Sequence, residues 1–103
     1  MKIILVGDDE SAVMFHLVGI DSIIAEDNEK AFQQQFQALM DDSEIGIIII
    51  TESVFLQHRD YILPVKMQNR TPIIVEVPNM IDRFHEDYIS DIIRQFIGIN
   101  LSK

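Results

Sequence analysis

The sequence predicts an α/β fold: four parallel strands in the order 2-1-3-4, flanked by helices and followed by a C-terminal helix. Three observations lead there. Short, β-branched and almost unbroken apolar runs stand at 2–6, 45–50 and 72–77. Segments of helical period separate them, so strand and helix alternate along the chain. With 103 residues, 48% of them apolar, the chain holds material for one core and one domain.

The strand runs are solid rather than alternating, as expected where helices cover both faces of a sheet. Ile47-Ile48-Ile49-Ile50 is the most apolar and takes a central place. A weaker run at 20–25, interrupted by Asp21 and Ser22, reads as an edge strand. Right-handed crossovers then leave the order 2-1-3-4. This is a small flavodoxin-like or receiver-like sheet, one strand short of the usual five.

Between the strands the period becomes helical. The segment 11–18 offers Val13, Met14, Leu17 and Val18 on one side, then Gly19, a residue suited to a left-handed terminator. Segment 28–40 sets Ala31, Phe32, Phe36, Leu39 and Met40 against a polar face of Gln33, Gln34 and Gln37. Segment 53–67 contains Pro64, which lacks an N–H and crowds the preceding turn, so a break is expected near Ile62 and Leu63. A last helix is expected from 82 or 83 to 97, before Gly98. The single domain then spans 1–103, with 82–103 as its C-terminal helix and tail.

Charge narrows the function. The net charge is -9, with 17 acidic against 8 basic residues. That sign argues against nucleic acid, whose phosphates require Lys and Arg, and against an anionic membrane surface. With no cysteine there is no disulfide framework and no thiolate site. The opening apolar run is too short for a signal peptide, and no stretch approaches the ~20 apolar residues that span a bilayer. A soluble, cytoplasmic protein is expected, peripheral to a membrane only through a complex.

In an open parallel sheet functional groups gather at the carboxyl ends of the strands. Those ends read Gly7-Asp8-Asp9-Glu10, Glu26-Asp27, Thr51-Glu52 and Pro78-Asn79-Met80. A Mg²⁺-dependent phosphoacceptor site would use the acidic pair Asp8-Asp9. It also needs an aspartate ending the third strand, where Thr51 stands, and a lysine after a fifth strand that the sequence lacks. Asp8-Asp9-Glu10 is better read as a helix-capping segment, and Glu52 as a first-turn acid. One glycine with three acids and no lysine makes neither a P-loop nor a dinucleotide fingerprint. His16, His58 and His85 fall on separate segments without zinc spacing, and no serine sits in a nucleophile elbow. No catalytic residue, cofactor or metal site is therefore expected. The alternative readings are a degenerate receiver-like signalling domain and a small-ligand binding domain.

The last helix is more informative. Tyr88, Ile89, Ile92, Ile93, Phe96 and Ile97 fall within an arc of roughly 180°, whereas one sheet-facing stripe needs only about 100°. The excess implies two contacts, one with the sheet of the same chain and one with a partner. These six residues are the expected partner interface.

The order of short motifs is similar to that of the F subunit of archaeal A-type and vacuolar-type rotary ATPases. Lys2-Ile3-Ile4-Leu5-Val6-Gly7-Asp8 resembles the family's opening strand and Gly-Asp turn. Phe15-His16-Leu17-Val18-Gly19-Ile20 looks like its Phe-x-Leu-x-Gly segment, and Gly46-Ile47-Ile48-Ile49-Ile50-Thr51-Glu52 like its Ile-Thr-Glu strand. Thr71-Pro72-Ile73-Ile74-Val75-Glu76-Val77-Pro78 is similar to its Pro-flanked fourth strand, and Ile97-Gly98-Ile99 to its closing glycine. His16 departs from a commonly basic position, and Pro64 and the stretch 79–85 are unusual. The resemblance implies a non-catalytic central-stalk protein, bound to the coiled-coil D subunit beneath the catalytic A/B hexamer. It would couple ATP synthesis or hydrolysis to proton or sodium translocation. The C-terminal helix of the family is mobile and implicated in modulating hydrolysis.

Overall fold

The computed structural model describes residues 1–79; the helix expected at 82–97 lies outside the described residues. Four strands, β1 (Lys2–Gly7), β2 (Asp21–Ile24), β3 (Ile45–Thr51) and β4 (Ile73–Val77), pair in parallel in the order β2-β1-β3-β4. This is the predicted order, with Ile45–Thr51 central and Asp21–Ile24 at one edge. The helices are α1 (Asp9–Leu17), α2 (Glu29–Met40), α3 (Glu52–Gln57) and α4 (Arg59–Gln68).

Local chemistry sets the helix ends. Asp8 caps α1 by accepting from the Ser11 N–H at 3.3 Å, and Asn28 caps α2 by accepting from the Ala31 N–H at 2.9 Å. At the other end of α1, Gly19 has φ of 90°, a region that side chains with a Cβ avoid. Its N–H donates to the His16 carbonyl and that of Ile20 to the Phe15 carbonyl, each at 3.0 Å. That pair of hydrogen bonds is the Schellman termination.

Strand register sorts the side chains into two faces. Ile4 pairs with Ile48, Val6 with Ile50, and Ile48 with Ile74. All five point to one side, where they form a sealed core with Phe32, Phe36, Val54 and Ile62. Phe32 and Phe36 stack at 5.5 Å between centroids, and Tyr61 meets both edge-on. Leu5, Ile49 and Val75 point to the other side, the α1 face.

Two expectations require correction. The break in the third crossover falls at His58, between α3 and α4, and Pro64 lies inside α4. Pro64 is exposed, so the carbonyl four residues earlier can turn to water. His58 instead leaves the helical path, at φ −117° and ψ 26°. Its ring stacks on Phe32 at 3.8 Å, and Nε2 lies 3.1 Å from the Glu26 carbonyl oxygen. A tertiary anchor, invisible in local sequence, sets the break. The second correction concerns α1. Ser11 and Ala12 face inward there, while Val13, Leu17 and Val18 are exposed. Small residues let the helix approach the sheet closely, and the Ser22 hydroxyl donates to the Ala12 carbonyl at 2.6 Å.

Candidate functional site

The carboxyl edge of the sheet is where chemistry would reside. The chain runs to opposite sides from β1 and β3, so the crevice of this topology lies between Gly7-Asp8 and Thr51-Glu52. Gly7 is required there: a Cβ on it would stand 2.8 Å from Thr51 Cγ2. Thr51 is fully buried and its Oγ1 has no hydrogen-bond partner. Asp8 uses one carboxylate oxygen as the α1 cap, while Oδ1 is closed off from solvent and unpartnered. Asn79, also buried, accepts from the Ser53 N–H at 3.0 Å and so caps α3 from the end of β4.

Asp8 and Glu52 thus stand where the capping reading put them, at the starts of α1 and α3. The position ending β3 is a threonine, with no carboxylate to accept a phosphoryl group. His16 is exposed on α1 and His58 is packed in the core; no three His, Cys, Asp or Glu side chains converge among the described residues. An open hollow of about 340 Å³ lies beside α3, lined by Glu52, Phe55, Leu56, Glu76, Val77 and Pro78. Its two carboxylates flank a few apolar side chains, and Glu76 is engaged by Lys66 Nζ at 3.0 Å.

The α1 face is different in kind. Leu5 is sealed beneath α1, but no described helix covers the β3–β4 half. Ile73 is 56% exposed, Val75 40% and Ile3 38%, with Ile47 and Ile49 half-buried between them. The sheet therefore presents a strip of five β-branched side chains across three strands. Sequence reasoning expected cover on both faces and missed this strip. The signal that could have found it is alternation within the fourth strand, where Ile73 and Val75 flank the core residue Ile74 and so must point away from it. The six expected interface residues Tyr88, Ile89, Ile92, Ile93, Phe96 and Ile97 lie outside the described residues.

Comparison with known proteins is consistent along the whole chain. Residues 3–96 match the model of the family described as ATP synthase (F/14-kDa) subunit. The chain is 31% identical to the F subunit of the A-type ATP synthase of Pyrococcus furiosus, with 100% of both chains covered. It is 29% identical to that of Methanocaldococcus jannaschii, over 98% of this chain and 99% of the relative. Identity to the Thermococcus onnurineus protein of the same name is 30%, again with 100% of both chains covered. A chain that carries this four-stranded parallel sheet is thus matched over essentially its full length, and it belongs to the family of the ATP synthase (F/14-kDa) subunit, as a relative of the A-type F subunits.

Proposed function

We propose that this chain is a non-catalytic rotor subunit of an A-type or vacuolar-type ATP synthase, docking on the coiled-coil D subunit below the A/B hexamer. The observation that carries the reading is end-to-end similarity to the A-type F subunits. The apolar strip on the α1 face supports it, since an uncovered patch of this kind is suited to protein contact. In this reading the chain has no active site of its own. It transmits torque between nucleotide chemistry on other subunits and movement of protons or sodium ions. It reaches the cytoplasmic face of the membrane through the complex; among the described residues no helix is long and apolar enough to cross one.

The segment 82–97 is proposed as part of the docking surface. One side of its stripe (Tyr88, Ile89, Ile92, Ile93, Phe96 and Ile97) matches the need of the strip on β3 and β4 for cover. The remainder faces the partner. A single globular unit over 1–103, with 82–103 as helix and tail, belongs to the same proposal.

The test is co-expression with a coiled-coil D-type subunit, then affinity capture. An equimolar complex is expected, and Ile92→Asp should weaken it far more than it lowers the melting temperature of the isolated chain. Burying a charge costs several kcal/mol wherever the site is dry. Unchanged capture with an early-melting isolated chain would assign the stripe to the internal core alone.

A further inference from the structure

We infer that Gln35 closes the β2 edge of the sheet against pairing with a second copy of this chain, its carboxamide standing in for one residue of an absent fifth strand. Gln35 Nε2 donates to the Ile24 carbonyl at 3.0 Å, and Gln35 Oε1 accepts from the Glu26 N–H at 3.1 Å. The partners fix which way the amide points, since a carbonyl only accepts and an N–H only donates. Ala25, between them, turns the other way: its N–H donates to the Gly7 carbonyl of β1 at 2.9 Å. Backbone groups of successive strand residues point to opposite lateral sides, so Ile24 and Glu26 face away from the sheet.

An added parallel strand would use those same two groups. One of its residues would donate to the Ile24 carbonyl and accept from the Glu26 N–H, passing over Ala25. The Gln35 carboxamide supplies that donor and that acceptor from a side chain. The position calls for it, because β2 ends the order β2-β1-β3-β4, and an unpaired edge is a template for another chain. Ile24 is 56% exposed there, so this edge is apolar as well. Among the described residues the opposite edge, β4, has no side chain bonded to its backbone in this way.

The clamp is built in advance. Gln35 lies on α2 between Phe32 and Phe36, both fully buried, so the core holds it beside β2. The segment it bonds is fastened independently. His58 Nε2 lies 3.1 Å from the Glu26 carbonyl oxygen, and Gln57 Nε2 donates to the Asp27 carbonyl at 3.3 Å. Loss of the Gln35 carboxamide therefore leaves the strand end in place and bares its outer groups.

The test compares the full chain with Gln35→Met, which keeps the side-chain length and removes both polar groups. A merely structural contact would cost stability and leave the association state alone. Sedimentation equilibrium reads the difference, in high salt to screen the repulsion between chains of net charge -9. Gln35→Met should self-associate at least ~10-fold more tightly than the wild type. Hydrogen exchange locates the contact: the Glu26 amide, protected in the wild type, should exchange fast in dilute Gln35→Met and slowly again when it is concentrated. Ile24→Pro, added to Gln35→Met, removes an N–H that faces outward and spares the ladder to β1. It should return association to the wild-type level. If Gln35→Met fails to fold, Gln35→Glu carries the test, because its carboxylate still accepts from Glu26 but repels the Ile24 carbonyl oxygen. Three results each overturn the proposal: unchanged association of a folded variant, association that Ile24→Pro leaves intact, or a Glu26 amide that already exchanges fast in the wild type.

Discussion

On one face of the sheet Phe32, Phe36 and Ile62 are sealed against Ile4, Ile48 and Ile50, while on the other Ile73 and Val75 lie open to solvent. Both faces are equally apolar in sequence, so apolarity alone does not tell core from contact surface. What separates them is what the helices bring. Helix α2 presents two phenylalanines and α4 an isoleucine, which fill the space above the sheet. Helix α1 presents Ser11 and Ala12, which cover only β1 and β2. Among the described residues the aromatic face is the sealed one, and the β3–β4 half of the α1 face is left without helical cover.

Substitutions can break this contrast. Phe36→Ala should give the largest effect, about 3–5 kcal/mol of lost stability, because it opens a cavity in the sealed face. Urea unfolding of the isolated chain measures it; a loss under ~1 kcal/mol would mean that the aromatic face is not the main core. Gly7→Ala probes the one tightly packed end of the α1 face. The new Cβ meets Thr51 Cγ2 at 2.8 Å, and overpacking of this kind costs about 1–3 kcal/mol. Its cost should therefore fall between those of the two faces.

Val75→Asp sharpens the contrast from the other side. At 40% exposure in the isolated chain, the change should cost under about 1 kcal/mol of stability. In the assembled complex the same residue should matter far more, with capture by the D-type subunit reduced at least ~10-fold, or about 1.4 kcal/mol. Equal losses in both assays would place Val75 in the core.

The smallest effect is electrostatic. Burial first, and then the Asp41 carboxylate, pushes the Tyr61 phenol above its ordinary value of 10.0. Its hydroxyl donates to Gln37 Oε1 at 3.4 Å and to the Gln33 carbonyl at 3.5 Å, so the protonated form suits the aromatic face. The folded state therefore holds this proton more tightly than the unfolded state. The stability it contributes is intact below about pH 10 and is lost as pH rises through the folded value. Tyr61→Phe should flatten that alkaline decline in a pH series of thermal melts.

The strands and their order were legible because Ile47–Ile50 and its neighbours are apolar runs bounded by capping residues. Asp8, Asn28 and Gly19 were legible as helix ends for the same reason: each acts through its own backbone neighbourhood. The break at His58 was not, because it depends on Phe32 and Glu26, which are distant in the chain. Helix α1 misled because its large apolar residues are not the ones that face the sheet. Asp8 and Thr51 could be read as a cap and a strand end, but not as two buried oxygens without partners. That property exists only once β1 and β3 lie side by side.

The central claim, that the α1 face is the docking side, is tested most directly by methyl NMR of the full chain titrated with a D-type coiled-coil subunit. The methyls of Ile73, Val75 and Ile92 should shift on complex formation while those of Ile48, Ile62 and Ile74 stay in place. Shifts concentrated on the aromatic face, or no complex at all, would contradict it.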